Sequence, residues 1–264
     1  MNERLKILKL LEEGKINADE ASRLLEALSH SESGHKKHHR MWAAFEHIPE
    51  SIATMINGSL QHMSSPEELR FSGKSQLEIK AISGDLIIQG TEQNEILVRK
   101  DGFGHVKEKD DKIEIKAISG DINAQIPKQT KILIKGVSGA ITISDMENEI
   151  LLKTVSGNVI GKNLRGSFTG DMIAGDLVLD FIEVKDLNIR SRSGDVMLHL
   201  DDQIDAHISI ETEEGEIFCD LPLQNEEKND FTLKGDLKTG KGNIEIKCDL
   251  GDTHLKRRES KVTN

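Results

Sequence analysis

Leu-Ile-Lys-Gly-Val-Ser-Gly-Ala-Ile-Thr-Ile (133–143), Leu-Leu-Lys-Thr-Val-Ser-Gly-Asn-Val-Ile-Gly (151–161) and Met-Ile-Ala-Gly-Asp-Leu-Val-Leu (172–179) are three consecutive renderings of one pattern. Outward from them, a turn glycine recurs at Gly84, Gly120, Gly139, Gly157, Gly175, Gly194, Gly215 and Gly242. Successive spacings are 36, 19, 18, 18, 19, 21 and 27, and Gly102, in a degenerate copy, halves the first of them. A fixed period in this range marks stacked units that bury their apolar faces only against their neighbours.

Counted from each glycine, positions −7 and −5 are apolar (Leu77 and Ile79, Ile113 and Ile115, Ile132 and Ile134). Positions +2 and +4 are apolar too (Leu86 and Ile88, Ile141 and Ile143, Leu177 and Leu179, Ile244 and Ile246). Alternation is the period of a strand. Position −2 (Ile82, Ile118, Val137, Val155, Ile173) changes the parity at one offset in copy after copy, which marks a corner. An antiparallel meander would not need that repeated corner; a coil stacking on itself does. The sequence therefore predicts a mainly β fold, a β-solenoid of stacked 18–19-residue repeats over residues 75–250. Nine coils at the strand spacing would make a rod of about 45 Å. Its open ends need covers, and the segment 41–63 and the charged stretch 255–259, in a tail spanning 251–264, are the candidates.

Ahead of the repeats, residues 1–30 read as an α-helical hairpin. Leu5, Leu8 and Leu11 share one face, Gly14 ends the first helix, and Asn17 with Glu20 forms a capping box for the second. Leu24, Leu25 and Leu28 line the second apolar face. So small a hairpin needs a partner, either a second copy of itself or another protein, so 1–30 is read as an association module. Residues 31–74 read as a linker. It holds a cationic, His-rich run with Lys36 and Lys37, then an amphipathic helix over 41–63 carrying Trp42 and Phe45. Two roles stay open for that helix: covering the first coil, which is favoured, or meeting a membrane surface through Lys36, Lys37, Trp42 and Phe45.

Composition narrows the function. The net charge of −11 excludes a whole-chain nucleic-acid binder, which needs a basic footprint. Aromatics are 3% and Tyr is absent, so the core has to be aliphatic. No apolar run reaches the roughly 20 residues of a membrane span, and the N-terminal stretch lacks a signal-peptide core, so a cytoplasmic chain, peripheral at the membrane or envelope, is expected. Cys219 and Cys248 have no metal-ligand spacing and are expected to be reduced core residues.

The serine column before the glycines (Ser83, Ser119, Ser138, Ser156, Ser193) has no matching histidine column, so it reads as turn chemistry and not as a set of nucleophiles. Acids at +1 (Asp85, Asp121, Asp176, Asp195, Glu216) lack the paired glycines of a calcium-binding repeat and read as turn-bonding groups. At −4 stands a cationic ladder, Lys80, Lys116, Lys135, Lys153 and Arg190, which either faces a polyanion or is a solvated face paired with acids, the second being favoured. The sequence points to no enzyme, no metal and no cofactor.

Residues 3–28 resemble the short N-terminal helical domain of the YvlB and LiaX-type bacterial proteins, and the Ser-Gly-Asp strand repeats from about 75 to 250 resemble the adhesin-type β-repeat family attached to it. The resemblance implies a non-enzymatic scaffold of the cell-envelope stress response, self-associating or partner-binding through the hairpin and presenting a binding face on the solenoid. The alternative is a self-polymerising structural protein, cytoskeleton- or adhesin-like, built by solenoid ends stacking on one another.

Overall fold

The computed structural model describes residues 67–258. The expected hairpin at 1–30, the segment 41–63 and residues 259–264 lie outside the described residues. Regular structure in the described part is all strand. In chain order the first strands are β1 (Glu67–Ser72), β2 (Gln76–Ala81), β3 (Leu86–Thr91), β4 (Glu95–Lys100), β5 (Gly104–Lys109), β6 (Lys112–Ala117) and β7 (Ile122–Pro127). The middle holds β8 (Lys131–Gly136), β9 (Ile141–Ser144), β10 (Ile150–Ser156), β11 (Val159–Ala174), β12 (Leu177–Ser193) and β13 (Val196–Leu200). The last are β14 (Ala206–Glu214), β15 (Ile217–Cys219), β16 (Gln224–Lys228), β17 (Thr232–Leu237), β18 (Gly242–Leu250) and β19 (Thr253–Arg257).

Each repeat is one coil: a strand before the glycine, a corner, and a strand after it. Pre-glycine strands pair in parallel in one sheet, in the order β6, β2, β8, β10, β11, β12, β18, β14. Post-glycine strands form a second sheet, in the order β7, β3, β9, β11, β12, β13, β19, β15. The fold is mainly β and solenoid-like, as the repeated corner requires. β11 and β12 run unbroken from one coil into the next, with bulges along β11 between Gly161 and Ser167. The core lies between the two sheets and is aliphatic: Ile79, Ile113, Ile115, Ile132 and Ile134 are wholly buried. Its aromatic pair, Phe168 and Phe181, meets edge-to-face at 6.4 Å.

Among the described residues eight parallel coils are stacked, one fewer than expected, and not in chain order. At one end the coil β6–β7 lies outside β2–β3, and at the other β18–β19 fills the slot between β12–β13 and β14–β15. Gly102 does turn in the glycine column, but β4 and β5 on either side of it run antiparallel to β7 and β6. The degenerate copy is thus a coil wound backwards, laid over the outermost one as a cover, with β1 added to β4. At the far end the hairpin β16–β17 covers β14. Of the two expected covers, 255–257 instead belongs to β19 of an inner coil, and 41–63 lies outside the described residues.

Gly242 is corrected as a turn glycine. It opens β18, and that coil turns at Gly251, whose φ is +138°. Ile244 and Ile246 therefore stand at −7 and −5, not at +2 and +4. The residues expected to begin a tail at 251 contain β19, a strand of an inner coil, and the first strand begins at Glu67, ahead of the expected boundary at 75. An apolar alternation reads the same on either side of a glycine, so the last copy slipped by one half-coil.

Candidate binding faces

The corner sets the geometry of everything outside it. At Gly157, φ is +122° and an added Cβ would sit 2.0 Å from the carbonyl oxygen of Gly139. Gly139 stands likewise against Gly84, Gly175 against Gly157 and Gly194 against Gly175. The column therefore needs glycine twice over, for its dihedral and for the approach of the neighbouring coil.

With the corners stacked, the +1 residues fall into a row, joined at one end by Asp101, which precedes Gly102 in the backward coil. The Asp101 carboxylate accepts the N–H of Asp121 at 2.6 Å, Asp121 that of Asp85 at 2.8 Å, and Asp85 that of Ala140 at 2.9 Å. The series resumes with Asn158 accepting from Asp176, Asp176 from Asp195, Asp195 from Asp252 and Asp252 from Glu216, at 2.8–3.1 Å. The expected turn role holds in a modified form: each side chain bonds the backbone of the next coil. Ala140 leaves the single missing rung. Among the described residues no group of three or more His, Cys, Asp or Glu is placed to hold a metal ion.

The −4 ladder lies on the outer side of the first sheet. Its register runs Lys116, Lys80, Lys135, Lys153, Asp171, Arg190, Lys247, Glu211. Lys80, Lys116, Lys135 and Lys153 are contiguous, whereas Asp171 separates Arg190 from them. Acids neutralise much of the row. Lys80 lies 2.9 Å from Glu78 and 3.3 Å from Glu114, Lys116 lies 3.3 Å from Glu114, and Lys153 lies 3.4 Å from Asp171. Burial opposes the charge on Glu78, but hydrogen bonds from Lys112 and Lys80 outweigh it and hold its carboxyl down to about 2.

Sequence reasoning missed a second row. Position +3 points outward from the second sheet, and the register lines up Ile87, Thr142, Ile160, Val178, Met197, His254 and Phe218 on seven successive coils. Ile87 is 47% exposed, Ile160 37% and Phe218 41%, and the Phe218 ring stacks on His254 at 4.6 Å. The signal was present as apolar triplets that break alternation, such as Leu86-Ile87-Ile88, Leu177-Val178-Leu179 and Val196-Met197-Leu198. An outward apolar residue flanked by two inward ones is hidden by the alternation on either side of it.

The remaining features are less organised. An open cleft of about 550 Å³ lies where β18 crosses, lined by Arg165, Glu183, Asp201, Asp205 and Gly242 among others. Burial pushes the Cys248 thiol up to about 11, so it is a poor nucleophile, and burial raises Cys219 as well. The expected association residues Leu5, Leu8, Leu11, Leu24, Leu25 and Leu28, and the expected membrane-facing Lys36, Lys37, Trp42 and Phe45, lie outside the described residues.

Two solved structures are similar. One is a "putative cell adhesion protein" from Clostridium sporogenes, 15% identical, covering 74% of this chain and 100% of its own, with a TM-score of 0.44. The other is a "putative adhesin" from Bacteroides fragilis, 12% identical, covering 74% and 98%, with a TM-score of 0.38. No curated protein matches the chain. A family model for a SHOCT-like domain matches residues 2–33. The Toastrack DUF4097 model matches residues 54–256, which takes in every coil and both covers, and the chain belongs to that family.

Proposed function

We propose that the protein is a non-enzymatic interaction scaffold of the bacterial cell-envelope stress response. The observation that supports it is the unbroken parallel register, which sets like outward side chains one strand spacing apart along two faces. Such rows suit an extended partner touched at many equivalent points. In this reading residues 1–30 associate with a second copy or a partner protein, and the chain works inside the cell, at the membrane periphery. The Lys135–Lys153 stretch of the first face is where an envelope polyanion would touch.

An adhesin-like surface role fits the same faces, favoured by the exposed apolar row of the second sheet. End-to-end polymerisation would have to begin on an edge strand, either β1, β5 or β16 of the covers or the uncovered β15. Protease treatment of intact cells separates the two locations. A chain that survives on intact cells and is cut after lysis supports the scaffold; a chain cut on intact cells supports the adhesin. For the scaffold, the full chain captured from cells under a membrane-active antimicrobial should carry a defined complex that Leu8→Asp removes. An unchanged complex overturns the hairpin's role.

A further inference from the structure

We infer that the apolar row of the second sheet is the seat of this chain's own segment 41–63, with the cationic run 36–40 lying at the Phe218 end. This goes beyond the scaffold reading and does not depend on it, since it leaves the first sheet as the face open to a partner.

The row is a surface without a cover among the described residues: Ile87, Ile160 and Phe218 are each more than a third exposed, with Val178 and Met197 between them. The chain enters the described domain on the same sheet, since β1 is its edge strand and starts at Glu67, directly after the segment. Residues 41–63 place Phe45, Ile48, Ile52, Met55, Ile56, Leu60 and Met63 at a helical period, a stripe that complements a stripe.

Reach and span agree. From Glu68 the outward row passes Arg99, Asn123 and Ile87 and continues to Phe218, nine strand spacings in all. At about 4.8 Å each that path is about 43 Å. Twenty-three residues as a helix cover about 35 Å, and the three residues 64–66, extended, add about 10 Å. The direction follows from the entry point: Met63 lies nearest Ile87 and Trp42 nearest Phe218.

Charge agrees with that direction. Phe218 is flanked by exposed Glu216 on one side and exposed Asp220 on the other, and Asp252 adjoins Glu216. Lys36, Lys37 and Arg40 immediately precede Trp42, so the cations arrive where the acids are. In the opposite direction they would meet Gln89 and Asn123.

Trp42 is the only tryptophan, so its fluorescence reads the contact in the full-length chain. We expect blue-shifted emission, shielded from acrylamide and unchanged on dilution. Ile160→Lys and Phe218→Lys, both outward-facing, should each shift it to the red and open it to the quencher while the thermal melt of the β domain stays in place. Lys153→Ala on the opposite sheet should leave it untouched, and Glu216→Lys with Asp220→Lys should reproduce part of the red shift. Trp42 emission indifferent to the apolar-row variants overturns the inference. So does a blue shift that fades on dilution, which assigns the row to a second copy, or one that needs anionic vesicles, which assigns the segment to a lipid surface.

Discussion

Gly157 answers to two constraints that come from different places. Its dihedral is local, and a glycine recurring before apolar alternation is enough to predict it. Its closeness to the Gly139 carbonyl comes from the neighbouring coil, and at the ends that neighbour is distant in sequence: Gly84 lies against Gly120, and Gly215 against Gly251. Gly157→Ala should therefore cost about 2–5 kcal/mol, from strain plus overpacking, whereas Lys153→Ala should cost under about 1 kcal/mol. Thermal melts of the two variants check this, and equal melting temperatures would mean the stacking is misassigned. Ala140 offers the reverse test. Ala140→Asn supplies the missing acceptor for the Asn158 N–H and should stabilise by about 0.5–1.5 kcal/mol. Glu78 contributes to the acid limit. Its folded-state pKa of about 2 is below the ordinary 4.5, so its contribution is present above 4.5 and is lost as pH falls from there through 2. Glu78→Gln should flatten the acid limb of stability in that window, measured by denaturant melts.

Between the residue and the rod stand the covers. Parallel sheets end in open edges that invite other strands; here both sheets at the β6–β7 end, and the first sheet at the other, are closed by chain running the other way, which leaves the three-residue β15 as an open edge. β5 holds His105, whose Nε2 is buried without a partner. Burial first, then Lys107 and Lys116, lower its pKa. As pH drops below about 6.5 the unfolded chain takes up the proton before the folded one, so the cover loses stability until the folded-state pKa is passed. Hydrogen-exchange protection of β5 and β6 should fall over that interval, and His105→Phe should remove the dependence; protection that stays constant in the parent chain would refute it. Neither cover was legible as such. A backward coil keeps the forward coil's length and its glycine, so Gly102 marked its position and not its direction. β16–β17 carries too little apolar alternation to announce a strand, because its outer strand is exposed throughout.

Over the whole molecule, the central coils follow the chain and were readable from spacing alone, whereas the order at both ends was not. Two gaps of 36 residues, 84 to 120 and 215 to 251, have the same cause: the chain leaves its stack to build a cover and returns to the remaining slot. Arithmetic that takes 36 as twice 18 recovers the period and hides the detour. One consequence is testable by truncation. Stopping the chain at Thr239 removes β18 and β19, which lie between β12–β13 and β14–β15, so residues 206–237 should lose their seat as well. Limited proteolysis should then stop near Leu200 and not near Leu237. A truncated chain resistant as far as 237 would show that the inner slot can close. The same layout says how such a rod could change length. Both ends are tied by returning chain, but the three coils turning at Gly139, Gly157 and Gly175 are joined head to tail. A duplicated stretch of about 18 residues there would lengthen the rod by one rung of about 4.8 Å while both closures stayed intact. Growth by tandem copying is open in the middle of this molecule and closed at its tips.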